Sequence, residues 1–452
     1  MSRKYREIVY NGPLKGVNVS LPEDVIGQNY SPSLSNFILK NGEIRTRPRQ
    51  YKYIPGTPDK FPINMLVSFT DANNIIHTCA VTQFGLWQLN AKWRESIPIN
   101  QQLAWNLVGK YNDGPGLLFP SCFSVFINKL FFSVGSVDLW MWDGIASANS
   151  PRVWQASTYY LQGSNIQDSN GNTQIAQNSG KSGPGPAHPV WGTTLTSTTT
   201  DGAIMWVNNG KPGSQNGGLF SAAVVDATNG ITAGALYLIE LNAQLLMLNT
   251  IEGTASSRQQ FPQRIRWCPS GLPTIWDVNV NIGAGFNDLL EVPDSISGGF
   301  TVGTTGFILR TNGITEITSN GGSGVNPWNF NHLWASDRGI GNIVPFGYAS
   351  FGPLGILISD DDIYNVSLGG FKRAGGVARD AIYNDIALAT NNPVGSIVPY
   401  YQNNYVYNHY RLAVPQQNST VTWCYSFEDD LWTREIITGL NVVGNTRWNF
   451  TR

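Results

Sequence analysis

One pattern recurs along the chain: an apolar run of strand length, a tight turn, a second apolar run, then an aromatic or apolar segment ending near Gly, Asn or Asp. Residues 63–69 begin it, Asp71-Ala72-Asn73-Asn74 form the turn, 75–81 return and 84–90 add a third segment. Residues 122–127, the two-residue turn Asn128-Lys129, 130–134 and 137–144 repeat the order. Short apolar runs bounded by turn formers are strand and hairpin signals. Further on, 299–302, 306–310, the turn Thr311-Asn312-Gly313 and 314–317 carry the same signature, as does 354–359 followed by 360–366. Residues 405–414 and 421–427, the acidic turn Glu428-Asp429-Asp430 and 431–434 close the series.

Equivalent positions lie 53 residues apart from Leu86 to Leu139, 55 from Ile308 to Ile363 and 61 from Ile363 to Cys424. A unit of about 50 to 60 residues holding about four short strands predicts an all-β fold, a β-propeller, because one blade cannot bury both its faces and must stack on neighbours. Residues 235–241, a turn at Asn242-Ala243, 244–248, then 264–267 and 274–277 supply a further hairpin pair. A pair of β-sandwiches would use the same strands; the spacing favours the propeller.

Residues 154–210 interrupt the pattern with a stretch low in apolar content and rich in Ser, Thr, Gly, Asn and Gln. Tyr159, Tyr160, Trp191 and Trp206 give it anchors that a solvating loop would not need, so it reads as a small inserted β-module. The opening 60 residues differ again: a short apolar stretch, 34–39, suited to one helical turn or a strand, precedes Arg45, Arg47, Pro48 and Arg49. The expected division is an N-terminal arm at 1–60, first blades at 61–153, the module at 154–210 and the remaining blades at 211–452.

Charge refines this. Only 13% of the 452 residues are charged, against roughly 25% in an ordinary globular protein. Turn-forming polar residues, with 48 Gly and 25 Pro, must solvate the surface instead. Fifteen Trp, 18 Tyr and 20 Phe supply ample core material for half-buried strands. A formal charge of −1 provides no basic field for phosphate, which argues against tight non-specific DNA binding. Cys79, Cys122, Cys268 and Cys424 are far apart without CxxC spacing, and the start MSRKYREIVY lacks the apolar core of a signal peptide. Reduced thiols and folding in a cytoplasm are expected. No apolar run reaches membrane-spanning length, so no membrane span is expected.

Candidate chemistry is sparse. Asp360-Asp361-Asp362 lacks EF-hand spacing and reads as a solvated turn. Together with Glu428-Asp429-Asp430 it would form a glycosidase pair only if folding brought the two to about 5 to 10 Å. His77, His188, His332 and His409 show no metal-ligand spacing, and neither a Gly-x-Ser-x-Gly elbow nor an H-E-x-x-H pair occurs. Gly180-Lys181-Ser182-Gly183 lacks the upstream glycine of a phosphate loop. The pairs Trp140/Trp142 and Trp87/Trp93 suit core packing better than sugar stacking. Arg45, Arg47 and Arg49 suit bidentate contacts to a partner protein. The expectation is therefore a non-enzyme with no catalytic, cofactor-binding or metal-ligating residues.

Several short motifs, taken in order, carry a resemblance. Gly16-Val17-Asn18, Leu21-Pro22, Ser31-Pro32, Leu34-Ser35-Asn36 and the run from Asn41 to Pro48 resemble the opening of tail nozzle (tail tubular) proteins of short-tailed bacteriophages. Arg264-Ile265-Arg266-Trp267, Pro273-Thr274-Ile275-Trp276, Gly283-Ala284-Gly285, Asp288-Leu289-Leu290-Glu291 and Phe307-Ile308-Leu309 resemble that family's central blades. Asp361-Asp362-Ile363-Tyr364 and Asp430-Leu431-Trp432 resemble its closing ones, so the likeness covers about two thirds of the chain. Ser169 to Asn172, Gly180 to Gly183, Pro189-Val190-Trp191 and Thr200 to Trp206 resemble small β-modules of phage virion proteins. The resemblance implies a virion structural protein of the tail, six copies of which form the distal ring and the conduit for genome ejection. Implied partners are further copies of itself, a tail adaptor or portal-proximal protein, tail fibres or spikes, and passing double-stranded DNA held without tight binding. A glycan- or receptor-binding tail propeller is the alternative.

Overall fold

A computed structural model describes residues 37–40, 43–46, 56–61, 63–89, 105–110, 121–134, 138–144, 154–160, 165–178, 180–185, 188–194, 196–208, 219–221, 223–226, 228–254, 257–281, 283–291, 293–321, 326–333, 340–402 and 405–438. Among them the fold is all-β, of propeller-blade type, apart from the helix Arg379–Ala387 and the 3-10 turn Gly376–Ala378. The chain divides into two compact units, 52–342 with 443–452 and 1–51 with 343–442.

In the first unit four antiparallel sheets follow one another. The first is Met65–Thr70, Ile76–Val81, Gly85–Leu89 and Trp105–Lys110. The second is Ser121–Phe126, Lys129–Val134, Leu139–Trp142 and Phe220–Ser221. The third is Val224–Asp226, Ile231–Leu241, Gln244–Thr254, Ser257–Trp267 and Gly285–Asp288. The fourth is Ile296–Val302, Thr305–Arg310, Ile314–Ser319 and Trp328–Leu333. Each runs up and down in chain order, the connectivity of a propeller blade.

Stacking explains why these strands are continuously apolar rather than alternating. A strand covered on both faces buries every side chain, as Leu139–Trp142 and Thr305–Arg310 do. Val67, Phe69 and Leu86 of the first sheet pack with Phe132 and Trp142 of the second. Phe131 and Met141 pack from the second onto Leu238 and Met247 of the third. Complete burial of each such side chain contributes about 1.5–3 kcal/mol. The third and fourth sheets approach closely at Gly306, where a Cβ would strike Leu241 of the third sheet and Ile317 of its own.

The inserted module lies between Leu139–Trp142 and Phe220–Ser221, which pair with each other. It contains a four-stranded sheet in the order Asn165–Gln167, Thr173–Ala176, Ile204–Asn208, Thr198–Asp201, and a short pair Tyr159–Tyr160 with Gly180–Lys181. Its core is its own: Trp154, Tyr160, Ile166, Ala176, Trp191, Ile204 and Trp206.

The second unit holds the hairpin Phe37–Lys40 with Glu43–Thr46 and two four-stranded antiparallel sheets. One is Ala349–Phe351, Leu354–Ile358, Ile363–Ser367 and Gly370–Arg373; the other is Val394–Gln402, Tyr405–Gln416, Ser419–Ser426 and Leu431–Thr438. Ile382 of the helix joins Ile356, Ile358, Trp423 and Trp432 in their shared core.

Blade spacing matches where the chain is uninterrupted: the first and second sheets start at 65 and 121, the fourth sheet and the sheet of Ala349–Phe351 at 296 and 349. Two expectations are corrected. Residues 274–277, expected as a strand, lie in a loop where Trp276 is buried with its Nε1 donating to the Pro273 carbonyl; Gly285–Asp288 is the pairing strand. The turn expected at Asn128-Lys129 is Ile127-Asn128, with φ of 46° and 57°. Two positive φ values are what a type I′ hairpin requires, and Asn128 holds its place by donating Nδ2 to the Asp71 carbonyl at 3.1 Å. The stretch 34–39 is, where described, a strand. The helix Arg379–Ala387 had no expectation, since it buries only Ile382 and Asp385 and leaves little apolar periodicity to detect.

Candidate functional site

The three central strands of the third sheet run eleven residues each, longer than any strand of the first, second or fourth. Arg264 and Arg266, two apart on one strand, point to one face, opposite Asp288 and Phe286 of the neighbouring strand. At Asn249, with φ 55°, the register of the preceding strand slips between Leu248 and Thr250. This bulge brings Glu252 onto the arginine face.

Arg264 donates Nε and Nη2 to the two oxygens of Asp288, both at 2.7 Å, and Nη1 to Glu252 at 3.2 Å. Arg266 donates Nε and Nη2 to Glu252 at 3.1 and 2.8 Å. Thr250 donates its hydroxyl to the same carboxylate at 2.8 Å. The Arg264 guanidinium lies 3.9 Å from the Phe261 ring centre and 4.4 Å from that of Phe286. Burial works against its charge, but the hydrogen bonds of Asp288 and the charge of Glu252 outweigh this and hold it above the ordinary arginine range. The array is thus two cations and two anions that neutralise one another. It presents no free nucleophile, and its outer margin is apolar, with Phe286 47% and Leu290 71% exposed.

The residues singled out from sequence fall elsewhere. Asp361 accepts from Tyr364 Oη and Arg373, and Asp362 accepts from the amides of Ile363 and Gly375. Asp430 accepts from Lys372 and Tyr425 Oη. Lys372 and Arg373 are successive on one strand and point to opposite faces, so the two acidic turns do not face each other as a glycosidase pair would. His77 is buried between Phe69 and Trp142, its Nε2 3.1 Å from Asp71 and its Nδ1 2.8 Å from Gln88. His188 lies exposed with its ring centre 4.8 Å from that of Trp154, and His332 contacts Thr315 and Glu291. His409 stands in the strand Tyr405–Gln416. Among the described residues no group of three or more His, Cys, Asp or Glu could hold a metal ion.

Within Gly180-Lys181-Ser182-Gly183, the Ser182 hydroxyl donates to Gln155 and Thr158 carbonyls and the Gly183 amide to Asp201, so these donors serve the module's own fold. Trp87, Trp140 and Trp142 are buried, Trp87 donating to Asp59. Trp93, the side chains of Arg45 and Tyr159, and the whole of Arg47 and Arg49 lie outside the described residues. The one sequence signal for the Arg264 array is the Arg-x-Arg alternation at 264 and 266.

No protein-family model matches the chain, and no curated protein matches it. Among solved structures, the dihydro-heme d1 dehydrogenase NirN is similar over 87% of this chain and 62% of its own, at 9% identity and a TM-score of 0.34, so this chain spans less than two thirds of NirN. AofleA from Arthrobotrys oligospora is similar over 73% of this chain and 89% of its own, at 12% identity and a TM-score of 0.27. Aleuria aurantia lectin is similar over 85% of this chain and 98% of its own, at 11% identity and a TM-score of 0.25. Likenesses at these scores carry nothing about function.

Proposed function

We propose that the chain is a structural protein of a phage virion: a tail nozzle whose copies form the distal ring of a short tail and the conduit through which the genome leaves. The observation that carries this reading is the margin of the third sheet, where Arg264, Arg266, Glu252 and Asp288 neutralise one another beneath exposed Phe286 and Leu290. Identical copies can meet at such a margin without like-charge repulsion or the cost of burying an unpaired ion. The near-neutral balance of the whole chain suits a conduit, because a basic lining would hold phosphate at each step. The ordered motifs of the nozzle family point the same way. A tail adaptor or portal-proximal protein would sit above the ring, and fibres or spikes could attach outside it.

For a glycan-binding role, every tryptophan side chain among the described residues is buried and so offers no ring to a sugar. Sedimentation and electron microscopy of the purified full chain test the proposal. Rings with an opening wide enough for duplex DNA are expected, weakened by Phe286→Asp with Leu290→Asp. A monomer at every concentration would overturn it.

A further inference from the structure

Two turns of the first unit carry isoleucines in the open. Ile75 and Ile76 are 54% and 68% exposed where the first two strands of the first sheet are joined. Ile127 is 50% exposed where the first two strands of the second sheet are joined. Asn128 brings the two turns together by donating Nδ2 to the carbonyls of Thr70 and Asp71 at 3.3 and 3.1 Å. Ile127 also stands at φ 46°, in the left-handed region that Asn, Asp or Gly fills readily and a β-branched side chain enters only under strain. Strain retained at an exposed apolar side chain points to a contact made outside the fold.

The patch is preorganised and uncharged. Asp71 accepts the amide hydrogens of Asn73 and Ile75 at 2.8 and 2.9 Å, which fixes the first turn, and the Asn128 side chain fixes the second. The other exposed residues of the two turns, Ala72, Asn73, Asn74 and Asn128, carry no charge. Covering such a surface loses little ordering entropy, and it has no charge to attract a charged partner. An apolar partner without net charge fits it, which describes the margin of the third sheet, where Phe286 and Leu290 stand beside mutually neutralised charges. A ring of identical copies with more than two members closes through a head-to-tail contact, in which one surface meets a different surface of the next copy. The first unit carries both surfaces.

We propose that Ile75, Ile76 and Ile127 of one copy receive Phe286 and Leu290 of the next; this rests on the ring reading above and names the two surfaces that meet in it. Sedimentation velocity on the full chain tests it with two variants. Phe286→Asp with Leu290→Asp keeps only the isoleucine surface, and Ile76→Asp with Ile127→Asp keeps only the margin of the third sheet. Each alone is expected to be monomeric. An equimolar mixture is expected to form a one-to-one pair and nothing larger, because one intact surface of each kind remains. A mixture that stays monomeric at every concentration while the unaltered chain forms rings overturns the contact and leaves the ring. Rings formed by the isoleucine variant alone do the same. A monomeric unaltered chain overturns the ring, and this contact with it. If the aspartates prevent folding, Ile76→Thr with Ile127→Asn, which suits the strand and the left-handed turn, is expected to weaken assembly by about tenfold or more. Rings as strong as those of the unaltered chain in that variant overturn the contact equally.

Discussion

Phe220 is in register with Met141, so the fourth strand of the second sheet is supplied only after the chain has passed through the module and returned. The two ends of the insertion therefore meet as neighbouring antiparallel strands, and a short hairpin loop can join them. Replacing residues 145–218 by about four Gly/Ser residues shortens the loop and lowers its closure entropy. The shortened chain is expected to keep its β circular-dichroism spectrum and a cooperative thermal transition. Loss of that transition would show that the blades need the module, to which they are joined through Ile175.

Glu252 stands between two arginines, and Glu252→Gln leaves Arg266 without a carboxylate while Arg264 keeps Asp288. Removing one partner of a buried ion pair costs about 3–5 kcal/mol. Urea unfolding is expected to show a loss of that order, recovered in large part by adding Arg266→Met. Equal stability of the single variant and the unaltered chain would refute a structural role for the array.

Asp71 joins the first two sheets. It is 1% exposed, accepts amide hydrogens from Asn73 and Ile75 at 2.8 and 2.9 Å, and faces His77. Burial alone would raise its pKa, but the hydrogen bonds from Ile75, His77 and Asn73 outweigh that and hold the carboxyl below its ordinary range. A folded value below the unfolded one means that the carboxylate stabilises the fold above about pH 4 and that this contribution disappears as pH falls through the folded value. Asp71→Asn is expected to lose about 1–3 kcal/mol at pH 7. The gap to the unaltered chain should narrow below about pH 4 in acid-unfolding curves; a gap constant with pH contradicts the assignment.

All four cysteines are buried and free. Burial pushes the Cys268 thiol up to about 12 and Cys79 well above its ordinary value, so these two carry almost no thiolate at pH 8. Titration with a disulfide reagent is expected to find less than one reactive thiol in the native protein and four after unfolding in urea. Rapid native labelling of Cys268 would mean that the third sheet opens far more readily than its burial allows.

Strands and tight turns were legible along the chain because each is set by neighbours a few residues away. Apolar runs such as 122–127 and 130–134 announced their hairpin, and the 53-residue step from Leu86 to Leu139 announced the repeat. The tryptophans and tyrosines of 154–210 announced a core separate from the blades, which Trp154, Trp191 and Trp206 form. Local order misled where a distant contact decided. Residues 274–277 have a strand's composition, yet Arg266 donates to the Trp276 carbonyl and the loop is held there.

The sequence by itself determined an all-β chain of blade-sized meanders with an insertion, because strand length, turn chemistry and apolar spacing are local properties. Tertiary structure alone decided that Glu252 meets Arg264 and Arg266 and that Asp71 meets His77. Those outcomes depend on registers, bulges such as that at Asn249, and sheets brought together from distant parts of the chain. A one-residue slip moves a side chain to the opposite face of its sheet, and no local pattern specifies which charge waits there.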